Sequence, residues 1–195
     1  MKKAIETIKK GGVLLHKTDT IWGLGCDATN IKSIKKIYSI KKRDLNKPLI
    51  ILVNNKKMLN EYVEKVPGNI SEIIDKKLGA ITIIYPKPKN IPAILIYKKS
   101  IAIRITKNKK CRLIIDKINK PIVSTSANIS GKPFPGNFSE IDNEIINSVD
   151  YILEEIEEDS INKPSSIYRI NKNQEIEHID RWKSQTYQIK KYFHL

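Results

Sequence analysis

The apolar residues of this chain come in short runs broken by polar punctuation, and that pattern constrains the fold more than any other feature. No run exceeds about six residues; Leu49 to Val53 and Ile81 to Tyr85 are typical. A membrane helix needs ~20, so the runs read instead as buried strands. Between them lie segments of helical period. Residues 2–10 read as a helix stopped by Gly11-Gly12, followed by a strand over 13–16 and a loop over 17–25. Asn30 reads as the N-cap of a helix ending near Lys42, with Ile31, Ile34, Ile37 and Tyr38 at helical spacing. A strand is expected over 48–53, a helix over 55–65 capped by Asn54, and another over 70–78. Three strand-like runs follow at 80–85, 93–97 and 101–106. The last of these puts Ile101, Ile103 and Ile105 on one face and Ala102 and Arg104 on the other. A helix over 110–119, a strand over 121–125, a loop over 128–138 and a helix over 139–148 come next. Short strands near 151–153, 166–171 and 175–180 complete the chain. This alternation, without repeats or long polar linkers, predicts one mixed α/β (α+β) domain with an open twisted sheet flanked by helices. Sites in such sheets sit in loops at strand ends.

Composition narrows the function. Only two cysteines occur, Cys26 and Cys111, which excludes a disulfide scaffold and a Cys-rich zinc site and makes a reducing, cytoplasmic setting the expectation. The first residues carry charge but no apolar signal core. The net charge is +15, from 36 Lys plus Arg against 21 acids. Such a balance favours nucleic acid or nucleotide phosphates as partners. The cations are mostly Lys, however, in a chain equally rich in Ile, the skew an AT-rich coding sequence produces. From charge alone, both readings stay open. The five arginines, Arg43, Arg104, Arg112, Arg169 and Arg181, are more informative, because Arg supplies a planar, bidentate donor that Lys does not.

Several site types are absent from the sequence. There is no Gly-x4-Gly-Lys-Ser/Thr loop, no Gly-x-Ser-x-Gly elbow and no metal-ligand spacing among His16, His178 and His194. What remains is a set of segments rich in hydroxyls, amides and cations. Thr18 to Gly25 offers two Thr hydroxyls and flexible glycine backbone, or is simply a tight turn. Lys41-Lys42-Arg43 closes a helix, where cations are favoured in any case. Arg104 on the less apolar face of its strand serves a site or reaches solvent. Ser124-Thr125-Ser126-Ala127-Asn128-Ile129-Ser130-Gly131 is free of charge in a Lys-rich chain, which suits a cradle for phosphate or carboxylate. Ser165 and Ser166 enter another strand. Together they suggest a phosphate- and carboxylate-binding cleft without a nucleophile.

The order of these segments resembles the threonylcarbamoyl-adenylate synthase family in its single-domain, YrdC-like form, over about residues 5–182. The family's Pro-Thr-Glu-Thr-x-Tyr-Gly-Leu-Gly is similar to Lys17-Thr18-Asp19-Thr20-Ile21-Trp22-Gly23-Leu24-Gly25. Its Lys-x-Arg and Lys-Pro-Leu match Lys41-Lys42-Arg43 and Lys47-Pro48-Leu49. Pro-Gly-Pro-x-Thr resembles Leu78-Gly79-Ala80-Ile81-Thr82, without its prolines, and Val-x-Val-Arg-x-Pro resembles Ile101-Ala102-Ile103-Arg104-Ile105-Thr106. Ser-Ala-Asn-x-Ser-Gly is intact from Ser126 to Gly131, Pro-Ser-Thr-Val resembles Pro164-Ser165-Ser166-Ile167, and Arg181 stands at the final Leu-Arg-Pro-Gly without its Pro-Gly.

The resemblance implies one YrdC-like domain over 1–195 with a concave basic cleft and no second C-terminal domain. It implies an enzyme that joins L-threonine, bicarbonate and ATP into threonylcarbamoyl-adenylate with release of pyrophosphate. A separate transferase would then modify the adenosine next to the anticodon in tRNAs reading codons that start with A. In this scheme Lys41 and Arg43 are the catalytic cations on triphosphate and carbamate oxygens, with Lys47 beside them. Thr20, Arg104, Ser124 and Ser165 face threonine. Ser126 and Asn128 bind the adenylate, and Arg181 covers the nucleotide. Mg2+ arrives on the ATP phosphates, mostly water-bound, with no protein carboxylate assigned as its ligand and Asp19 the only one considered. No resident protein-held metal and no membrane are expected; direct tRNA binding is open. Arg112 reads as a surface helix residue. The competing reading is a non-catalytic module that binds double-stranded RNA or tRNA.

Overall fold

A single mixed sheet carries the molecule. The computed structural model describes residues 1–68, 70, 74, 79–153, 163–171 and 175–179. Helix α1 (Lys2–Lys9) leads through Gly11, at φ +82°, into β1 (Leu14–Lys17). Strand β2 (Trp22–Asp27) returns antiparallel to it. Helix α2 (Ile31–Ile40) is started by Asn30, whose side chain accepts from the Lys32 and Ser33 backbone N–H groups. Then come β3 (Ile50–Val53), α3 (Lys56–Tyr62), β4 (Ile81–Pro86), β5 (Ser100–Ile105) and α4 (Lys109–Ile118). Helix α4 ends at Asn119, held in the left-handed region that suits a C-cap. Strand β6 (Ile122–Ser126), α5 (Asn143–Ser148), β7 (Tyr151–Leu153), β8 (Ser166–Ile170) and β9 (Ile176–Ile179) follow. The sheet order is β7-β1-β2-β6-β3-β5-β4-β8-β9. The β1/β7, β3/β5 and β4/β8 pairs are parallel and the rest antiparallel. Helix α1 packs on β7 and β1, α2 on β2, α3 on β3 and β5, and α4 on β3. The expected mixed α/β sheet with flanking helices is the fold observed.

The pleat assigns the two faces different tasks. Paired residues share a face, and successive residues alternate. Trp22, Leu24, Cys26, Val123, Ile51, Val53, Ile101, Ile103, Ile81, Ile83 and Tyr85 fall on one side and belong to the buried apolar core. On the other side the register aligns His16 with Gly23, Gly23 with Ser126, and Gly25 with Ser124. Leu52 and Arg104 are likewise paired there. This second face carries the polar residues.

Four expectations are corrected. Residues 22–25 are strand rather than loop. Trp22, Leu24 and Cys26 alternate with two glycines, which is strand period with one bare face, and neither Gly23 nor Gly25 has a positive φ. The run 93–97 is not a strand. Ala93–Leu95 is a 3-10 turn that buries Leu95, and Tyr97 and Ser100 then exchange backbone hydrogen bonds around Lys98 and Lys99, both at positive φ. Asn55, not Asn54, caps α3 by accepting from the Met58 N–H. The helix expected over 139–148 is shorter, Asn143–Ser148, because Asp142 is its cap; Phe138–Glu140 before it is a 3-10 turn. The helix expected over 70–78 lies outside the described residues apart from Ile70 and Ile74, as does Arg181 entirely.

Candidate active site

The turn between β1 and β2 builds the first part of the site. Thr18 Oγ1 accepts from the backbone N–H groups of Thr20 (3.1 Å) and Ile21 (3.3 Å) and donates to the Ile21 carbonyl (3.0 Å). A Thr side chain closing its own turn in this way fixes the loop without glycine. The turn folds over the polar face of β2, where the missing Cβ atoms make room. A Cβ on Gly23 would stand 3.0 Å from the Thr125 carbonyl and 3.6 Å from the Thr18 methyl; on Gly25 it would stand 2.6 Å from His16 Nε2.

So placed, the turn meets β5. Arg104, 5% exposed, points from the face opposite its Ile neighbours. Its Nη1 donates to Thr20 Oγ1 (3.3 Å) and lies 3.5 Å from Asp19 Oδ1. Thr20 in turn shares a hydrogen bond with Thr18 (2.8 Å). Asp19 Oδ2 accepts a long bond from the Lys107 backbone N–H (3.5 Å). Beneath this group His16 is buried with its Nδ1 3.3 Å from the Lys17 carbonyl and 3.7 Å from Cys111 Sγ. A carbonyl only accepts, so Nδ1 carries the proton. Burial, aided by the Arg104 charge and opposed by the Lys17 bond and Asp19, pulls the His16 pKa down to about 4, so the ring is neutral at pH 7. Burial likewise pushes the Cys111 thiol up to about 12, which removes it as a nucleophile. Asp19 lines a concavity with Gly79, Ala80, Ile81, Ile105 and Lys107.

Thr82 and Ser165 form a second element. The β4/β5 register, continued one step from Ile83 and Ile103, sets Thr82 beside Arg104 on the polar face. Its hydroxyl lies 2.7 Å from that of Ser165, and both residues are buried. Ser124, also buried, sits on the same face beside Gly25, its hydroxyl 3.7 Å from the Cβ position of Gly23.

The third element is a cation inside a loop. Lys41, at the C-terminus of α2, is 1% exposed. Its ammonium donates to the Ser126 carbonyl, to the Asn128 carbonyl (2.7 Å) and to Asn128 Oδ1 (3.2 Å). Ser130 N–H donates back to the Lys41 carbonyl (2.8 Å). Ser126 Oγ donates to Asn128 Oδ1. Lys41 therefore ties the uncharged loop after β6 to α2. Burial, with the Arg43 charge adding to it, lowers its pKa to about 7. Arg43 folds onto its own loop instead: Nε donates to the Lys47 carbonyl (3.0 Å) and Nη2 to the Pro48 carbonyl (3.1 Å). The Lys47 side chain is exposed, and so is Arg112 on α4.

Of the residues expected at the site, Thr20 and Arg104 meet directly, Ser165 is bonded to Thr82 and Ser124 lies on the same sheet face beside Gly25, and Lys41, Ser126 and Asn128 form one cluster. Arg43 and Lys47 share a separate loop. His16, Thr82 and Cys111 have no role in the sequence-based expectations, Thr18 enters them only as one of two hydroxyls of its loop, and Asp19 only as the carboxylate considered for Mg2+. Thr18 and Thr82 lay within the quoted motifs; nothing local marks His16 or Cys111. Among the described residues no three His, Cys, Asp or Glu side chains are placed to hold a metal ion, and no helix is long and apolar enough to cross a membrane.

Comparison with known proteins bears on this site. A protein of Methanocaldococcus jannaschii is 40% identical, over 87% of this chain and 81% of its own length. Threonylcarbamoyl-AMP synthase of Pseudoalteromonas translucida is 32% identical, over 78% of this chain and 83% of its own. Among solved structures, the H234A/Y235A form of P. abyssi Sua5 superposes with a TM-score of 0.79 at 25% identity. It covers 86% of this chain, which spans about half, 52%, of that protein. The family model for Sua5, YciO and YrdC, described as "Telomere recombination", matches residues 6–180. A match over nearly the whole chain, with relatives of similar length, places this protein in the Sua5/YciO/YrdC family.

Proposed function

We propose that this chain is a threonylcarbamoyl-AMP synthase, converting L-threonine, bicarbonate and ATP to threonylcarbamoyl-adenylate and pyrophosphate. One observation carries the reading: a buried arginine, Arg104, held by Thr20 and Asp19 on the polar face of the sheet. A guanidinium fixed this way is a preorganised fork for a carboxylate. Relatives of matching length bear the synthase name, and a P. abyssi Sua5 of the same fold was crystallised with L-threonine.

The chemistry asks little covalent help of the protein. The threonine amine takes up bicarbonate, losing water, to give a carbamate. A carbamate oxygen attacks the α-phosphorus of ATP, and pyrophosphate leaves. Catalysis is then positioning and charge stabilisation, which fits a site whose Cys is inert and whose His is neutral. Arg104 takes the threonine carboxylate, with Thr20, Ser124 and Ser165 around the amino acid. The Ser126–Asn128 loop, steadied by Lys41, takes the adenylate; Arg43 and Lys47, together with Arg181, take the phosphates. Mg2+ enters as part of the MgATP substrate and keeps most of its waters. A separate transferase consumes the adenylate to modify tRNA in the cytoplasm.

The test is pyrophosphate release from ATP with each component omitted in turn. Release should require both L-threonine and bicarbonate. Arg104→Ala should cut kcat/KM by at least ~100-fold, on the scale of losing a charge-assisted bidentate contact, while the exposed Arg112→Ala stays within twofold of wild type. Threonine-independent release, or a fully active Arg104→Ala, refutes the assignment.

A further inference from the structure

We infer that the tip of the β4–β5 connection, built from Lys87, Lys89, Lys98 and Lys99, is a docking surface for the phosphodiester backbone of a nucleic acid, apart from the synthase site.

Three of these lysines occupy backbone positions that suit other residues. Tyr97 and Ser100 exchange both backbone hydrogen bonds (2.9 and 3.0 Å) across a two-residue turn. Its centre is Lys98 at φ +49° and Lys99 at φ +57°. A hairpin turn with two positive φ values favours Asn-Gly, Asp-Gly or Gly-Gly, because a larger side chain is crowded in the left-handed region. Lys87, at φ +51°, donates its N–H to the Lys99 carbonyl (3.0 Å), so a third strained lysine abuts the same turn.

AT-rich coding does not account for this choice. It supplies Asn as readily as Lys, and Asn does stand at two other left-handed positions, Asn90 and Asn119. The remaining lysine at positive φ, Lys42, has an acid to hold, Glu144 at 2.8 Å. Backbone strain that the fold does not require points to function, and what the tip lysines share is exposure. Lys87 meets Glu64 (3.2 Å) in an exposed pair that water screens. Lys98 Nζ lies 5.3 Å from the centroid of the Tyr97 ring, itself 39% exposed. Lys89 and Lys99 have no acidic partner among the described residues. The base of the tip is fixed, because the Lys89 N–H donates to the Tyr62 carbonyl (2.9 Å) and the Glu64 N–H to the Lys87 carbonyl (3.2 Å).

The kind of cation selects the partner. Protein interfaces are enriched in Arg and depleted in Lys, and the tip holds Lys alone. Ammonium groups beside an exposed aromatic ring suit a phosphate backbone with a base to stack.

The test combines Lys87→Asn, Lys98→Asn and Lys99→Gly, which removes three charges and gives the turn its favoured residues. Lys2→Gln, Lys3→Gln and Lys9→Gln on α1, at the far side of the sheet, remove the same charge elsewhere. Binding of the full chain to a labelled tRNA transcript, and to a DNA duplex with as many phosphates, is followed by fluorescence anisotropy across a salt series. The tip variant should bind at least ~10-fold more weakly at low salt, with a salt slope smaller by about 2 to 3, while the α1 variant stays within ~3-fold of wild type. Loss with either nucleic acid bears out the surface and tells which one it takes. Equal weakening by both variants reflects net charge alone and overturns the inference, as does a wild type that binds neither probe. Undiminished binding by the tip variant overturns it too, and if that variant loses poly-glutamate instead, the surface belongs to an acidic protein. Its Tm should rise by ~2 °C or more; a fall shows that the lysines serve the fold and overturns the inference. Pyrophosphate release without nucleic acid should stay within twofold of wild type in both variants, so the synthase reading is tested separately.

Discussion

Gly25→Ala is the sharpest probe of how the site is built. The new Cβ would lie 2.6 Å from His16 Nε2, 3.1 Å from Cδ2 and 3.2 Å from the Val123 carbonyl. The ring cannot simply step aside, because it is fully buried and its other nitrogen faces the Lys17 carbonyl and Cys111. Overfilling a packed interior costs ~1–3 kcal/mol. The lower backbone entropy of unfolded Ala offsets about 0.4–1 kcal/mol of that. A net loss of about 1–2 kcal/mol corresponds to a Tm lower by roughly 2–8 °C in a chain of this size. Gly68→Ala is the control, since its Cβ would meet nothing within 4 Å and its φ is not positive; it should be neutral or slightly stabilising. The assay is a double-mutant cycle in urea with His16→Ala. If the clash is with the ring, the two substitutions together destabilise by about 1–2 kcal/mol less than their sum. Additivity within about 0.5 kcal/mol refutes the packing of His16 against the bare glycine.

One further prediction concerns the same buried cluster and another the start of α3. The folded His16 pKa of about 4 lies below the unfolded value of 6.5, so between these values the unfolded chain binds the extra proton. Stability is complete above pH 6.5 and falls as pH drops toward 4, by about 3 kcal/mol; in thermal melts at pH 7 and 4.5, His16→Gln should lose less than wild type, and identical losses refute the burial argument. Asn55→Ala should destabilise by about 1 kcal/mol through loss of the α3 cap, and Asn54→Ala should not act through that cap; urea midpoints reversed between the two would return the cap to Asn54.

What was legible in the sequence was parity. The Ile-x-Ile-x-Ile run of β5 put Arg104 on the less apolar face, and the structure sets it there beside Leu52, against Thr20 and Asp19. The uncharged Ser126–Gly131 segment stood out against a Lys-rich background, and its oxygens close around the Lys41 ammonium, from a residue 85 positions before Ser126. Tertiary pairs were not legible. Nothing local joins His16 to Cys111 or Asp19 to Arg104, because each pair exists only once the sheet order has brought β1, β5 and α4 together.

The glycines show where local reasoning went astray. Trp22-Gly23-Leu24-Gly25, the end of the expected 17–25 loop, reads as loop because glycine signals turn freedom. Its apolar residues nevertheless recur with period two, and the glycines occupy the other parity. In a strand that means one face buried in the core and one face stripped of side chains, which is what close approach of another segment requires. The glycines here provide space rather than flexibility: they let a Thr-closed turn lie against the sheet and carry Asp19 and Thr20 to Arg104. Alternating glycine between apolar residues, followed across the sheet by a lone arginine on the same parity, is thus a strand signal and a site signal at once. The double-mutant cycle at Gly25 and His16 measures the space on which both depend.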